Sequence, residues 1–366
     1  MNAKLLWAVP VIALSGGAAV AESSVTLYGV VDMGIGSTHA READGVRQKK
    51  TGTISGGLSD TLLGLKGQEG LSDGWSATFQ LETMFDGSTG NYNDEDRLFD
   101  NAAWVGLANE SYGELRLGRQ HPVSQELGGE LEVASWKDMG MGATFKASDN
   151  HSVNNAVNYF SPSWSGLRLG LGYSFDVVGD QLRGSKLPAY SAGLLYEHGP
   201  LLLAATWDKT LLKNSGLEGV GDPQTWQVGG SYDFEVAKVS VAWSRQKNGY
   251  AGLNGGDPSG LGLGLGAAEF AYGGHLDAYL LGLAVPVGGK GTVVAQWSLV
   301  KPDWSWEDGE KASNGQVATL GYVYSLSPRT NLYAMAGLAR RYSLDDQVVQ
   351  GQGTTTRYMA GINHSF

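Results

Sequence analysis

The sequence predicts an all-β fold, a transmembrane barrel of sixteen antiparallel strands, and three features predict it. Segments of about ten residues alternate apolar and polar side chains from end to end, with short and long connections in turn. An export leader opens the chain, and no later apolar run reaches the ~18 residues that a membrane-crossing helix needs. The chain ends inside an alternating segment, on the aromatic Phe366. Hydrocarbon offers backbone N–H and C=O groups no water, so a spanning chain without helices must close its strands into a barrel.

Lys4 is the only charged side chain before Glu22, residues 5–14 are apolar apart from Pro10, and small residues lead to Ala19-Val20-Ala21. This is the form of a secretory signal peptide with an A-x-A cleavage site. We therefore expect residues 1–21 to be a leader and residues 22–366 to form one barrel domain.

Composition narrows the class. The chain has no cysteine, so an exported product must be held by its ladder or its core. The formal charge is −11, and losing Lys4 with the leader makes it one unit more negative. An acidic exported chain is poorly suited to nucleic acid, and none is expected as a partner. Mean hydropathy is slightly negative, which excludes a helical membrane protein but not a barrel, whose lumen residues dilute the signal. Of 366 residues, 55 are glycine, about twice the usual ~7%. Without a three-residue period they fit strand positions where the wall curves or another surface comes close.

The connections fall into two classes. Short ones lie at 70–74, 109–113, 162–166, 198–200, 235–237, 286–290 and 327–330. Long, polar ones lie at 38–50, 86–97, 120–151, 178–187, 211–223, 248–275, 302–314 and 343–353. Short turns on one rim and long loops on the other suit sixteen strands of a bacterial barrel. Within strands, Leu167, Leu169, Leu171, Tyr173 and Phe175 oppose Arg168, Gly170, Gly172, Ser174 and Asp176. Trp226, Val228, Gly230, Tyr232 and Phe234 likewise oppose Gln227, Gly229, Ser231 and Asp233. Aromatics gather at strand ends, as interfacial girdles require. Residues 276–285 are apolar on both faces, which leaves their orientation open. A soluble β-sandwich or β-helix would also alternate, but it would need two domains, and neither a linker nor a fixed repeat is present.

In the last strand Phe366, His364, Ile362, Ala360 and Tyr358 share one face. Soluble chain ends tend to fray, whereas a terminal strand that pairs with the first closes a barrel. Residues 25–35 are its expected partner.

The opening run Ser23-Ser24-Val25-Thr26-Leu27-Tyr28-Gly29-Val30-Val31-Asp32 resembles the first strand of the Gram-negative general porins of the β-proteobacterial branch. Gly64-Leu65-Lys66-Gly67, Phe79-Gln80-Leu81-Glu82, Trp104-Val105-Gly106-Leu107, Gly118-Arg119-Gln120, Tyr159-Phe160-Ser161-Pro162 and Gly361-Ile362-Asn363-His364-Ser365-Phe366 follow in the same order. The resemblance implies a cell outer membrane location, a homotrimer, and a third loop folded into the lumen. It also implies contact with outer-membrane lipid and lipopolysaccharide, and recognition of Phe366 by the barrel-assembly machinery. Family members usually carry lumen arginines at three places where this chain has Leu62, Asn101 and Asn158.

A lumen constriction selects by width, charge and hydrogen-bonding groups. The third loop, about residues 121–152, carries Glu126, Glu130, Glu132, Trp136 and Asp138, against the bases Lys137 and Lys146. Inward parity adds Asp32, Glu82, Asp208 and Asp233 as wall acids, and Lys66, Arg116, Arg168, Arg341 and Arg357 as wall bases. With three arginines replaced by neutral residues, the expected channel passes small hydrophilic solutes and is less anion-selective than its relatives, or cation-preferring. Trp136 with inward Tyr28, Phe160 and Tyr333 would more often pack the loop against the wall, and would alternatively suit a substrate-specific uptake channel for a small organic solute. An outer-membrane barrel enzyme is the remaining class. No G-x-S-x-G, HExxH, P-loop or paired-cysteine motif is present, so no catalytic residue, cofactor or metal site is expected.

Overall fold

The computed structural model describes residues 23–41, 45–94, 96–136, 139–148, 151–179, 186–213, 215–250, 268–341 and 353–366. The expected leader, residues 1–21, lies outside them. In chain order the first strands are β1 (Ser23–Arg41), β2 (Arg47–Ser55), β3 (Leu62–Gly70), β4 (Trp75–Met84), β5 (Ala102–Asn109) and β6 (Gly113–Gln120). They continue as β7 (Val153–Phe160), β8 (Leu167–Ser174), β9 (Ala189–His198), β10 (Leu201–Thr210), β11 (Gln224–Asp233) and β12 (Lys238–Lys247). The last are β13 (His275–Val287), β14 (Gly291–Pro302), β15 (Gly315–Ser327), β16 (Thr330–Arg340) and β17 (Thr354–Ser365).

Neighbours pair antiparallel around the ring, and β17 returns to β1 from Val30↔Ser365 to Arg41↔Thr354. The other edge of β1 meets two segments, β2 beside residues 33–41 and β3 beside residues 23–30. Thus β2 and β3 are two halves of one wall strand, and the seventeen segments form a closed barrel of sixteen strands. Closure satisfies the edges that hydrocarbon would otherwise leave unpaired.

Two expectations shift. The first long connection covers only residues 42–46, because β1 and β2 keep pairing out to Arg41↔Arg47. The partner of the terminal strand is residues 30–41, not 25–35, since closing a tilted barrel staggers the register. Phe366 still seals the seam: its N–H donates to Gly29 O at 3.1 Å and its carbonyl accepts from Gly29 N at 3.3 Å.

Outward positions such as Val25, Leu27, Ile35, Leu171 and Leu320 are exposed, as a lipid-facing band requires. Ring pairs stand at strand ends, Trp75 with Tyr112 at 5.9 Å and Trp207 with Trp226 at 5.8 Å. β13 is apolar on both faces for two reasons. Tyr279, Leu281 and Leu283 face lipid, while Leu276, Ala278 and Leu280 are buried inside the barrel. They belong to the same buried cluster as the apolar side chains of the third loop.

Candidate functional site: the lumen constriction

Between β6 and β7, residues 121–136 and 139–148 turn into the lumen and lie along the inner wall. The segment opens with the short helix α1 (Val123–Gly128). Its apolar side chains Val123, Leu127, Leu131, Trp136, Met139, Met141 and Phe145 are completely buried. They pack in chain order against glycines on successive strands. A Cβ at Gly170 would fall 2.4 Å from Val123, at Gly229 2.6 Å from Leu131, at Gly321 2.4 Å from Trp136 and at Gly337 2.5 Å from Met139. Much of the glycine excess inside the wall is thus room for this loop.

Polar ties fix the rest. Ser124 N donates to Ser191 Oγ at 2.9 Å, Gln227 Nε2 to Gly128 O at 3.2 Å, and Gln246 Nε2 to Thr144 O at 2.8 Å. Lys146 Nζ meets Asp208 at 2.9 Å, with both side chains buried. The loop therefore lies against β8–β16. The passage runs between it and the inner face of the remaining wall.

That wall carries cations seated on aromatic rings. Lys66 Nζ lies 5.0 Å from the Tyr28 ring, and the Arg116 guanidinium lies 4.6 Å from Trp104 and 4.9 Å from Phe160. Arg116 also pairs with Glu114 at 2.7 Å and reaches across to Glu126 of the loop at 3.5 Å. Glu82 is tied down by Tyr28 Oη at 2.5 Å, by Gln80 Nε2 at 3.4 Å, and by Asn101 Nδ2.

Between β2 and β3 the wall itself turns inward over residues 56–61. Asp32 holds this inturn: its carboxylate accepts from Gly57 N at 3.0 Å, Leu58 N at 2.9 Å and Ser59 N at 3.0 Å. Tyr333 Oη at 2.6 Å and Asn363 Nδ2 at 2.9 Å complete its shell. The inturn carries Asp60 to face the loop. Ser59, Asp60, Leu62, Gln125, Gly129, Glu132, Ser135 and Ser148 line an open cavity of about 260 Å³. Glu132 sits at its loop side, accepting from Met141 N at 2.7 Å and Ser135 Oγ at 3.2 Å. Burial pushes its carboxyl up to about 7 against these hydrogen bonds, and the charge of Asp60 adds to the rise.

The expected site residues divide accordingly. Leu62 and Glu132 border the cavity, Glu126 stands between loop and wall, and Lys66 is exposed in the lumen. Glu130 has Glu197, Lys238, Glu126 and Arg168 as electrostatic neighbours. Three of these flank short turns, so Glu130 faces the short-turn mouth. Arg357 lies inside near the other rim, its Nε donating to Thr38 Oγ1 at 3.1 Å. Asp138 lies outside the described residues.

Trp136 packs the loop against the wall, its indole buried against β15 as an anchor. Three other positions differ from expectation. Asn158 faces inward but is covered, donating to His121 O at 2.8 Å where the loop begins. Asn101 is buried and spends its donor on Glu82. Arg341 stands one residue beyond β16 with φ 51°, its N–H still donating to Gly353 O at 2.9 Å, so strand parity does not set its side-chain direction. Sequence reading missed Asp60, Gln125 and Ser148. The Gly56-Gly57 pair was the available signal for the inturn.

A wall-hugging loop that narrows a closed sixteen-stranded barrel agrees with the comparisons. The family described as Gram-negative porin matches residues 8–342. The chain belongs to that porin family. An outer membrane porin protein of Bordetella pertussis is 35% identical over 99% of this chain and 100% of its own length. Outer membrane porin protein 32 of Delftia acidovorans is 31% identical over 99% of each. Among solved structures, an anion-selective porin from Comamonas acidovorans superposes with a TM-score of 0.70 at 27% identity, covering 94% of this chain and 100% of that one. This porin is accordingly an outer-membrane channel of a Gram-negative bacterium.

Proposed function

We propose that this porin passes small hydrophilic solutes by passive diffusion and prefers cations to anions at its constriction. One observation carries the reading: among the described residues, the 260 Å³ cavity is lined by Asp60 and Glu132 and by no basic side chain. Leu62 stands there at the place where the family resemblance expects an arginine. A unit charge about 6 Å away alters an ion's energy by roughly 0.7 kcal/mol even in bulk water, so a neutral residue in place of a basic one beside two acids bears directly on selectivity. The Comamonas relative is titled anion-selective, and the change of lining is the proposed reason for a difference. Planar-bilayer recording in a KCl gradient tests it. A reversal potential of cationic sign is expected, and one of anionic sign would overturn the reading.

Export by residues 1–21, assembly as a homotrimer, contact with lipopolysaccharide and recognition of Phe366 by the assembly machinery belong to the same proposal. Mass determination of the purified protein and of its native oligomer tests the first two.

A further inference from the structure

A second cavity lies on the wall side of the third loop, between the two ends of the loop and the long-loop ends of β7–β10. Its volume is about 90 Å³, room for roughly six to nine water-sized groups at ~10–15 Å³ each. Among the described residues that line it, the only lysine, arginine or carboxylate side chains are Lys146 and Asp208. Their Nζ and Oδ1 stand 2.9 Å apart with both side chains buried, so the two charges cancel.

The ion pair uses only half of the carboxylate. Asp208 is 2% exposed, and its Oδ2 is shut off from solvent with no hydrogen-bond partner among the described residues. A buried carboxylate oxygen is rarely left without a donor. Two neighbours in the lining are also half used. Ser191 Oγ accepts from Ser124 N at 2.9 Å and keeps its own O–H to give. Asn158 spends its Nδ2 on His121 O at 2.8 Å, while its Oδ1 lies over Gly172, where a Cβ would fall 2.6 Å away. The hydroxyls of Thr210 and Tyr250 are engaged with each other at 2.7 Å, and Tyr250 Oη also donates to Pro223 O at 3.3 Å. The cavity thus offers two acceptors and one donor with no net charge from its ion pair.

From this set we infer that the cavity binds a short neutral polyol of about three to four carbons, with one hydroxyl donating to Asp208 Oδ2. Each hydroxyl of such a chain both donates and accepts, so its neighbours can give to Asn158 Oδ1 and take from Ser191. An O–H bond to a carboxylate is charge-assisted and strong. A solute cation would share that carboxylate with the Lys146 ammonium at close range, and an anion would face Asp208 itself. The carbon edge of the chain has Pro122 and Ala156 to rest on. This site stands apart from the constriction and does not depend on the cation preference.

The test is saturation-transfer NMR on the full-length protein in detergent micelles, with empty micelles as the blank. Erythritol is titrated in, and 1,4-butanediol and n-butylammonium chloride are run in parallel. Erythritol should give a saturable signal, with the diol and the ammonium binding about tenfold more weakly. Asp208→Asn should weaken erythritol about tenfold or more, the scale of one hydrogen bond to a charged group. Ala156→Leu fills the space, leaves those polar groups in place and should abolish the signal. Single-channel currents in KCl verify that both variants form channels. The inference is overturned by no saturable erythritol signal in the parent, by equal binding of butylammonium, or by an erythritol signal unchanged in Ala156→Leu.

Discussion

The indole of Trp136 fills the space in which Gly321 would carry a side chain: a Cβ there would sit 2.4 Å from the ring. The two residues are far apart in sequence, one on the loop and one on β15, and each explains the other. A wall position that lies under a fully buried tryptophan has no room for Cβ.

Gly321→Val should therefore lever the loop off the wall, at a cost of about 1–3 kcal/mol for overpacking. Trp136→Ala should loosen the same contact by leaving a void, at about 3–5 kcal/mol. Both variants are expected to show altered unit conductance and noisier open-channel current. Conductance and thermal unfolding identical to the parent would refute the anchoring role.

Lys146 and Asp208 bridge loop and wall at 2.9 Å with both side chains buried. Replacing only the lysine, Lys146→Met, leaves a buried carboxylate without its counter-ion and should destabilise by about 3–5 kcal/mol. Lys146→Met with Asp208→Asn should recover most of that loss. A double-mutant cycle by denaturant unfolding in detergent measures the coupling, and simple additivity would rule it out.

Burial raises Glu132 to about 7, so its charge titrates in the working range of the channel. Its ionised fraction rises from pH 6 to pH 8, and cation preference should rise with it. The folded state binds more protons than the unfolded chain between the ordinary carboxylate range and pH 7, so this group's contribution to stability falls as pH climbs through that window. Reversal potentials at pH 6, 7 and 8 should follow this trend in the parent and lose the step near 7 in Glu132→Gln.

Leu62→Arg restores a cation beside Asp60. At about 6 Å one charge alters an ion's energy by roughly 0.7 kcal/mol in bulk water, a factor of about three in permeability ratio. The reversal potential should move towards anions by at least that factor. No movement would mean that Leu62 is not at the selecting point.

The barrel was legible because lipid imposes period two on every spanning segment, and seven short turns punctuate the strands. The constriction was only partly legible. Parity assigns a residue to the inner face but does not say whether another segment covers it, and Asn158 shows this by facing inward beneath the start of the loop. Trp136 suited a lumen surface or, more readily, a packing group, and it packs. Asp60 escaped because it lies in an interruption of the wall strand, where period two stops and only the Asp32 hydrogen bonds define the path. β13, with apolar residues on both faces, was in retrospect a footprint of the loop.

The glycines that receive Val123, Leu131, Trp136 and Met139 run from β8 to β16, which pushes the water column to one side of the cylinder. Strand number then sets the size of the housing, and the loop sets the aperture. The two can be changed independently. Shortening the insert would widen the conduit without rebuilding the wall, while the glycine-bearing strands are bound to the insert they were shaped to seat.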